Sequence, residues 1–310
     1  MTDQIKLSQL EALVAAVEAG GFSAASVELG CTQSRISHSI AELERYLGVR
    51  LLVRTRAGCT PTQVGQRVLA HARRMLQLAQ EIGQESRDHV GLRGTVRIAS
   101  IRSTATHLLP HVVEALEREC PGVHIEVFDG CHSYGEVTTM IERGLADVGI
   151  TRSPQGSTLS RISVQPLVSD RYVVVAPASM RLSSPANWKE LAKTPLIHLQ
   201  QPGAQWIVEQ CLNAGMSRHR VRELVNESGI VAMVSRGLGY AVLPRLTVFP
   251  DAPGTQVLEL PFRALRQLVV CQLLGHSRNK ATDIVMEFIR SKTLIMQTEA
   301  WKAGVLTCDL

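Results

Sequence analysis

A row of small hydrogen-bonding side chains lies on one side of a single predicted helix. The stretch TQSRISHSIAELERYLG runs from Thr32 to Gly48, and its apolar residues recur at spacings of four, three and four positions. That period places four of them on one face: Ile36, Ile40, Leu43 and Leu47. The opposite face carries small or polar side chains and one arginine: Ser34, Ser37, His38, Ala41 and Arg45. Such groups can bond to base edges and phosphate oxygens, whereas a bulky face could not enter a major groove about 12 Å wide.

The first residue of this helix belongs to the same predicted surface. Gln33 carries an amide that can bond an adenine edge or a phosphate. The structural alternative is that Gln33 only supports the helix cap and that Ser37 is a solvated helix residue. We favour the nucleic-acid interpretation because the polar positions share their face with Arg45 and have no apolar cover. The predicted contacts on this helix are Gln33, Ser34, Ser37, His38 and Arg45.

The distribution of charge indicates a polyanionic partner. The net charge of the chain is only +5, but the interval from Arg45 to Gln80 contains seven arginines and no Asp or Glu. A surface that is merely soluble mixes both signs, so a one-signed interval of this length favours nucleic acid. For Arg67, Arg73 and Arg74, which follow later in the interval, a solvated face is at least as good an explanation.

Two of these arginines belong to a predicted hairpin, or wing. Leu51 to Val53 is short and apolar, Ala57 and Gly58 form a turn signal, and Cys59 with Thr60 is a candidate returning strand. Arg54 and Arg56 would then stand near the tip of the wing, where they suit phosphate or minor-groove contacts.

Three further helices must position these groups. Leu10, Leu13, Val14 and Val17 predict an amphipathic helix that ends at Gly20 and Gly21, and a short helix from Ser23 to Leu29 follows it. The short helix and the Thr32 helix, joined by a turn at Gly30, form a helix-turn-helix unit. Thr62 caps a long helix that we expect to run to about Val90, and we count Thr62 among the DNA-facing residues. In that helix Val68, Met75 and Ile82 repeat at heptad spacing, which predicts a dimer seam.

The pattern changes after Gly91 and Gly94, where strands begin to alternate with helices. The alternation predicts an α/β domain with a mostly parallel sheet, of one large or two smaller subdomains. The predicted strands are TVRIAS, VHIEVF, ADVGIT, RYVVVAP, PLIHLQ, RVRELV, GYAVLP and RQLVVCQLL. Predicted helices lie near Leu108–Leu116, 134–144, Trp206, Ile230–Arg236 and 281–291.

This second region has a predicted anion site. Ser103 and Thr104 follow the first strand and precede a helix, where hydroxyls and free backbone N–H groups favour a carboxylate. Ligands of α/β sheets bind beyond the carboxyl ends of strands, and other residues end apparent strands in the same way: Thr151, Arg152, Gln200 and Asn226. The alternatives are a plain N-cap for Ser103, ordinary loop roles for the strand-end residues, and a water-facing Arg102 in place of one that neutralises the anion.

The first seventy residues resemble the LysR-type transcriptional regulators. The family signature is matched by Phe22-Ser23-Ala24-Ala25, Leu29, Gln33, Ser37, Leu43-Glu44, Leu47-Gly48, Arg54 and Thr62-Gln63-Val64-Gly65. The pieces HLLP, RGLADVGIT and SRGLGYAVLP are similar to the family's effector-binding domain. Three positions depart from the pattern, with Ser34 in place of Pro, His38 in place of Arg, and Pro61 in place of Leu. Because the first two lie on the proposed reading face, the resemblance implies no operator preference.

The resemblance implies an architecture. A winged helix-turn-helix would occupy residues 1–61, a linker and dimerisation helix 62–90, and an α/β effector-binding domain 94–300. The last would resemble a periplasmic binding protein, with one subdomain of about 94–165 plus 268–300 and another of about 166–267. The implied partners are double-stranded DNA, a small-molecule effector and further copies of the chain in a homodimer or homotetramer, with RNA polymerase as another candidate.

Other classes of protein fit the sequence less well. No stretch is long and apolar enough to span a membrane, and no signal pattern begins the chain, so we expect a cytoplasmic location without a membrane partner. We find no nucleophile elbow, P-loop or HExxH motif and expect neither an enzyme nor a cofactor. The alternatives are a regulator whose C-terminal domain only oligomerises and, less favoured, a solute-binding or catalytic α/β protein.

The cysteines and histidines predict no reactive centre. Seven cysteines without regular spacing or a CxxC pair fit a reduced compartment and provide no zinc site. Some relatives sense oxidants through a thiol, but no basic run surrounds Cys211, so we expect a buried and inert residue. His107, His111 and His132 have no recognised metal-site spacing, and we expect ordinary surface or helix histidines.

Overall fold

The chain forms two compact units. The computed structural model describes residues 4–55, 58–85, 92–154, 161–201, 204–217, 221–274 and 280–308. One unit comprises 1–93 with 139–147, and the other comprises 94–138 with 148–310. Among the described residues no single helix could span a membrane; the first two helices together reach the required length and hydropathy but are bent by 119°.

The N-terminal unit begins with three helices, a hairpin and a long helix. Its elements are α1 (Leu7–Glu18), α2 (Phe22–Glu28), α3 (Gln33–Leu47), β1 (Leu52–Thr55), β2 (Gly58–Pro61) and α4 (Gln63–Glu85). The helix-turn-helix of α2 and α3 and the antiparallel β1–β2 hairpin are as predicted. Residues 86–91, into which the long helix was predicted to continue, lie outside the described residues.

Helix α3 has the predicted ends and the predicted buried face. The Thr32 hydroxyl accepts a hydrogen bond from the backbone N–H of Arg35 at 3.3 Å, and Gly48 ends the helix with a φ of 67°. Only glycine adopts that left-handed conformation without steric cost. Ile36, Ile40 and Leu43 are buried, and Leu47 packs against them. The apolar stripe therefore fixes which face of α3 remains outside the core.

Helix α4 has a buried part and an exposed part. Leu69 and Ala72 are buried in the N-terminal core, and Val68 packs against the same core. Val68 is half-buried, so of the three predicted seam positions only Met75 and Ile82 are exposed, and the dimer seam stays a prediction. The exposed large apolar residues of the helix are Met75, Leu78 and Ile82, at 45%, 42% and 70% exposure.

The second unit alternates strands and helices. Its strands are β3 (Gly94–Ile101), β4 (Val123–Cys131), β5 (Val148–Arg152), β6 (Ile162–Pro177), β7 (Leu196–Leu199), β8 (Val221–Leu224), β9 (Ala241–Pro244), β10 (Thr255–Glu259), β11 (Leu265–Leu273) and β12 (Leu306–Thr307). Its helices are α5 (Arg102–His107), α6 (Leu109–Glu119), α7 (Tyr134–Glu142, partly in the first unit), α8 (Trp188–Leu191), α9 (Gln205–Asn213), α10 (Glu227–Ser235), α11 (Lys280–Ile289), α12 (Lys292–Gln297) and α13 (Glu299–Lys302).

The main sheet is mixed, which corrects the prediction of a mostly parallel one. Its order is β10-β6-β11-β5-β3-β4, with β9 and β12 also paired to β6. Strand β3 is parallel to β4 and β5, whereas β11 is antiparallel to β5 and β6. The first half of β6 escaped prediction because Pro166 interrupts its apolar run and Pro lowers the strand signal. That proline lies at a register shift opposite Leu268 and Val269, where a bulge accommodates it.

Strand β6 pairs with different neighbours along its two halves, within the main sheet. Residues 162–171 pair with β11, and Tyr172–Pro177 pair with β9 and β10. In the second stretch the side chains alternate between two apolar cores. Val174 and Ala176 join the core of Trp188 and Ile207, while Val173 and Val175 join the core of Ile230. The predicted subdomain limits stay predictions, but this strand connects the β11 part of the sheet to the β9 and β10 part by one continuous backbone.

Candidate nucleic-acid interface and ligand cavity

The polar face of α3 is accessible. Gln33, Ser34, His38 and Arg45 are exposed, and Ser37 is half-buried. We call these five residues the polar face of α3. The Ser34 hydroxyl lies 3.0 Å from the hydroxyl of the cap residue Thr32. All five sequence-predicted residues of the helix therefore lie away from the core formed by Ile36, Ile40 and Leu43.

Arg54 connects the hairpin to both helices of the helix-turn-helix. Its Nη2 donates to Ser37 Oγ at 3.0 Å, and its guanidinium lies over the Phe22 ring at 4.3 Å from the centroid. Phe22 begins α2, so one guanidinium touches α2, α3 and β1. A cation over an aromatic face is stabilised by the ring quadrupole. Arg56, the other predicted wing residue, lies outside the described residues.

A buried-to-exposed chain of hydrogen bonds ends at His38. The backbone N–H of Lys6 donates to Gln9 Oε1 at 3.0 Å, and Gln9 Nε2 donates to Glu42 Oε2 at 3.2 Å. Glu42 Oε1 lies 3.1 Å from His38 Nε2. The hydrogen bond from Gln9 is the largest effect and lowers the pKa of the Glu42 carboxyl. Burial raises that pKa by less, and nearby His38, Lys6 and Arg45 each lower it by smaller amounts. Sequence reasoning missed Gln9 and Glu42, although the i,i+4 spacing of His38 and Glu42 on a helix was a usable signal.

The Glu44 carboxylate fixes the hairpin against α3. Glu44 Oε1 accepts from the backbone N–H groups of Leu51 and Leu52 at 2.7 and 3.2 Å, and Arg50 lies 3.7 Å from the other oxygen. The Glu44 carboxylate thus provides the acceptor for two backbone N–H groups at the start of β1.

Thr62 serves the fold of this unit. Its hydroxyl donates to the Arg50 carbonyl at 2.9 Å and accepts from the backbone N–H of Gly65 at 2.9 Å, which caps α4 as predicted. Because the single hydroxyl hydrogen already has an acceptor, a phosphate contact by Thr62 would require it to leave Arg50. The DNA contact of Thr62 stays a prediction, and the structure supports a positioning role.

The second unit contains a small cavity of about 50 Å³. Its lining combines charged and polar side chains with apolar ones, and it comes from the main sheet, from strand β7 of the separate β7–β8 pair and from neighbouring helices and loops: Ile101, Arg102, Ser103, Cys131, His132, Arg152, Tyr172, His198, Leu199, Gln201, Ala204, Ile207, Glu227, Val242, Pro244 and Arg266. We call this space the cleft cavity.

A buried ion pair forms one wall of the cleft cavity. Arg266 Nε and Nη2 donate to the two carboxylate oxygens of Asp170 at 2.7 and 3.0 Å, and Nη2 also lies 3.3 Å from Ser103 Oγ. Asp170 additionally accepts from the backbone N–H of Leu246 at 2.9 Å. Although burial opposes its charge, the Asp170 carboxylate holds the pKa of Arg266 above its ordinary value. Neither member of this pair was predicted, since both lie inside strands and are 96 positions apart.

A second arginine contributes positive charge to the cavity. Arg152 is partly buried, and burial lowers its pKa, with a further lowering from Arg266 and an opposing effect of Tyr172. Tyr172 is buried beside it, and burial raises the pKa of its phenol. The Tyr172 ring also meets the Trp206 ring edge to face, with centroids 5.4 Å apart.

Polar contacts cross the cleft cavity between the main sheet and the separate β7–β8 pair. His132 follows β4, and its Nδ1 lies 3.3 Å from Gln201 Nε2, which follows β7. Gln201 Nε2 also approaches Glu227 Oε1 at 3.3 Å and the Val225 carbonyl at 3.1 Å. The amide nitrogen carries only two hydrogens, so His132 Nδ1, Glu227 Oε1 and the Val225 carbonyl compete for two N–H groups.

The structure separates the predicted effector residues into two groups. Arg102, Ser103 and Arg152 line the cleft cavity. The other four are outside its lining: Thr104, Thr151, Gln200 and Asn226. The alternative of Ser103 as an N-cap is wrong, because Ile101 is the N-cap of α5 and provides no side-chain hydrogen bond. Helix α5 has only six residues, so the side chains around the cavity provide a better argument for an anion than its terminus.

Each residue outside the lining has another role or environment. Thr104 is buried and bonds to Ser100 Oγ at 2.7 Å and to the Ile101 carbonyl at 2.9 Å. Thr151 is buried, and its hydroxyl has no hydrogen-bond partner among the described residues. The backbone N–H of Gln200 donates to Leu224, and Asn226 caps α10 by accepting from Ser228 and Gly229.

A larger groove lies elsewhere in the same unit. It measures about 440 Å³ and includes Arg171, Glu259 and Phe262 in its lining. Arg171 and Glu259 form an ion pair at 2.7 Å. Arg263 is a third charged residue in its lining.

The thiols and histidines add no metal centre within the described ranges. No group of three or more His, Cys, Asp or Glu side chains there is arranged to hold a metal ion. Cys211 is fully buried, and burial raises its pKa to about 12, which agrees with the expected inert thiol. His107 packs edge to face on Phe249 at 5.5 Å, and burial lowers its pKa.

Comparison with known proteins matches both units. Residues 7–66 match the model of the bacterial regulatory helix-turn-helix proteins of the lysR family, and residues 89–293 match the LysR substrate binding domain. A probable HTH-type transcriptional regulator, LrrA of Synechococcus elongatus, is 37% identical over 260 residues, which is 83% of this chain and 87% of that protein.

Solved structures show the same fold. A full-length OxyR variant from Pseudomonas aeruginosa aligns with a TM-score of 0.68 at 22% identity, and the alignment covers 93% of this chain and 98% of the OxyR chain. Full-length CbnR complexed with its target DNA has a TM-score of 0.65 at 20% identity, covering 92% and 99%. With both family models matched and a relative of this identity, the chain belongs to the LysR family of transcriptional regulators and combines a helix-turn-helix DNA-binding domain with an effector-binding domain.

Proposed function

We propose that this regulator binds double-stranded DNA sequence-specifically through the polar face of α3 and that a small organic anion in the cleft cavity controls it. The observation that carries the first part is the division of α3. Ile36, Ile40 and Leu43 hold the helix in the core, while hydrogen-bonding groups occupy the accessible side. A helix of this kind fits a major groove, and Arg54 beside it can bond a phosphate.

The charges of the cleft cavity support an anionic effector. Three arginines line it: Arg102, Arg152 and Arg266. Asp170 neutralises Arg266, and Glu227 is the one carboxylate in the lining. The three arginines therefore outnumber the two carboxylates, Asp170 and Glu227, and a guanidinium fork matches the two oxygens of a carboxylate.

A homodimer is the supported assembly. Met75, Leu78 and Ile82 leave an exposed apolar stripe on α4, with spacings of three and four positions. Such a stripe is a seam for a second copy of the same helix, and two copies would present two α3 helices to neighbouring half-sites. A homotetramer, a contact with RNA polymerase and a cytoplasmic location remain expectations from the family resemblance.

The test of this function uses the full-length protein in two measurements. Selection from genomic fragments should enrich particular sequences, and a gel-shift titration should then show them bound more tightly than random duplex. A thermal-shift panel of small carboxylates and their neutral amides should raise the melting temperature for carboxylates only. Arg152→Gln should abolish that shift, while Arg171→Gln, outside the cleft cavity, should keep it.

The outcomes separate the competing functions. Enrichment of DNA without any response to the carboxylates would favour the regulator whose C-terminal domain only oligomerises. A carboxylate response without DNA enrichment would favour a solute-binding protein and would contradict our proposal.

A further inference from the structure

The hydrogen-bond chain that ends at His38 fixes which hydrogen bond this residue offers to a base. The inference about this bond rests on the proposed DNA binding by α3 and adds a base preference to it. The first link of the chain is the backbone N–H of Lys6, which can only donate and lies 3.0 Å from Gln9 Oε1. The amide of Gln9 is thereby oriented, because its oxygen must face that donor. Gln9 Nε2 therefore points its hydrogens at Glu42 Oε2, 3.2 Å away.

Glu42 transmits this orientation to the imidazole. The donated hydrogen bond from Gln9 lowers the pKa of Glu42, so near neutral pH the group is a carboxylate and can only accept. Its second oxygen lies 3.1 Å from His38 Nε2. A neutral imidazole has one N–H group. Beside a carboxylate, which can only accept, that N–H must be on the nitrogen that faces the carboxylate. Nε2 therefore donates to Glu42, and Nδ1 is left as an acceptor.

The acceptor is available to a ligand. The side chain of His38 is 71% exposed, and Nδ1 has no protein partner within the part of the chain that the structure describes. In the major groove adenine and cytosine present amino donors, whereas the edge of guanine presents two acceptors and thymine presents an acceptor and a methyl group. A single acceptor such as His38 Nδ1 can therefore accept a hydrogen bond only from adenine or cytosine.

We propose that neutral His38 specifies adenine or cytosine at one operator position and that Glu42 is the positioning residue that fixes its tautomer. An arginine at the same point of the helix would present only donors and would favour guanine. The substitution of His for the family's more usual Arg thus changes the chemistry of the base that is accepted, and the preference is a property of this chain's Gln9, Glu42 and His38 together.

The experiment is a selection of duplexes that carry a randomised window, with full-length protein at pH 8.5, above the ordinary titration range of imidazole. Comparing the wild type with His38→Ala identifies the operator position that depends on His38. There we expect the wild type to prefer adenine or cytosine by about three- to tenfold, the weight of one hydrogen bond. His38→Ala should lose that preference and keep the rest of the motif.

A second variant tests the positioning role. Glu42→Gln keeps the side-chain length and the contact with Gln9, because its amide oxygen can still accept from Gln9 Nε2. Its amide nitrogen then faces His38 and donates to Nε2, so the imidazole N–H moves to Nδ1. This variant should bind with similar affinity but accept guanine at the His38 position. Glu11→Gln on α1, which removes an exposed carboxylate of the same unit, is the matched control and should retain the wild-type preference.

The outcomes are separable from those of the proposed function. A wild type that enriches no sequence overturns DNA recognition itself and this inference with it. A normal motif that His38→Ala leaves unchanged, or a His38-dependent position occupied by guanine or thymine, overturns the inference alone. A Glu42→Gln protein with the wild-type preference would overturn the role of Glu42. Melting curves of each variant exclude unfolding as the cause.

Discussion

The guanidinium of Arg54 lies 4.3 Å from the centre of the Phe22 ring while it donates to Ser37. A residue predicted at the tip of a wing is therefore held over the junction of α2 and α3. The position keeps its charge beside the polar face of α3, where a DNA phosphate would come close. Arg54→Ala should weaken binding to selected and random duplexes alike and should reduce the slope of log K against log salt by about one unit.

Gel-shift titrations at several salt concentrations check this. Arg118→Ala, an exposed arginine of the other unit paired with Glu119, is the control and should keep the wild-type slope. A loss confined to the selected sequence would show that Arg54 contacts a base.

Gly65 has no room for a side chain. A Cβ at this position would lie 2.0 Å from the Leu51 carbonyl oxygen, so α4 approaches the hairpin backbone too closely for alanine. Gly65→Ala should destabilise the N-terminal unit by about 1–3 kcal/mol, as overpacking does elsewhere. Calorimetric melting measures the loss. Gly130→Ala, whose Cβ would meet open space, should melt like the wild type, and equal melting of both variants would contradict this packing.

The Asp170–Arg266 pair predicts a non-additive pair of substitutions. Asp170→Ala leaves a buried guanidinium without its carboxylate, which should cost about 3–5 kcal/mol of unfolding free energy. Combining it with Arg266→Met should recover much of that loss, because a buried ion pair can be replaced by apolar groups at little cost. Urea unfolding of the two single variants and the double variant gives the coupling free energy, and simple additivity would show that the pair does not act as a unit.

The exposed stripe of α4 predicts how the chain dimerises. Met75→Glu places a charge in the proposed seam and should weaken the dimer, which sedimentation at decreasing concentration would detect. Gln66→Glu, at an exposed position nine residues before Met75 and therefore on the opposite side of the same helix, is the control. An undisturbed dimer in the Met75 variant would place the seam on another surface. Val68→Glu should instead lower the melting temperature, since Val68 packs on its own core.

Burial of Cys211 predicts its reactivity. Its pKa of about 12 means that the thiol stays protonated through the neutral range and ionises only as the pH approaches that value. At pH 8, iodoacetamide should therefore label the half-buried Cys31, Cys120 and Cys308 before it labels Cys211, because the thiolate is the reactive form. Mass spectrometry of native protein checks the order, with denatured protein as the reference in which all four react. Early labelling of Cys211 would contradict its burial.

The helix-turn-helix was predictable because its information is local. The apolar period of α3, the Thr32 cap and the Gly48 terminus all lie within one stretch, and each was confirmed. The contacts that orient its side chains were less visible. Gln9 lies 33 positions from Glu42, and no periodicity connects them.

Two of the predicted effector residues each lie one position before a residue that lines the cleft cavity. Strand ends directed attention to Gln200 and Asn226, but the side chains that line the cavity are Gln201 and Glu227. A sequence pattern shows where a strand ends, whereas neighbouring side chains point to opposite sides, so an error of one position changes the surface that is reached. Asp170 and Arg266 were beyond prediction because their association depends on the antiparallel pairing of β6 with β11.

The change of pairing partner along β6 affects how the parts of the sheet beside it can move. Its sixteen residues change pairing partner between Arg171 and Tyr172, from β11 to β9 and β10, directly after Asp170, and Tyr172 also lines the cleft cavity. The two parts of the sheet are therefore joined here by paired strand and not by a loop. A rotation of one part against the other would have to twist β6 at this point, and a ligand beside Tyr172 would lie where that twist occurs.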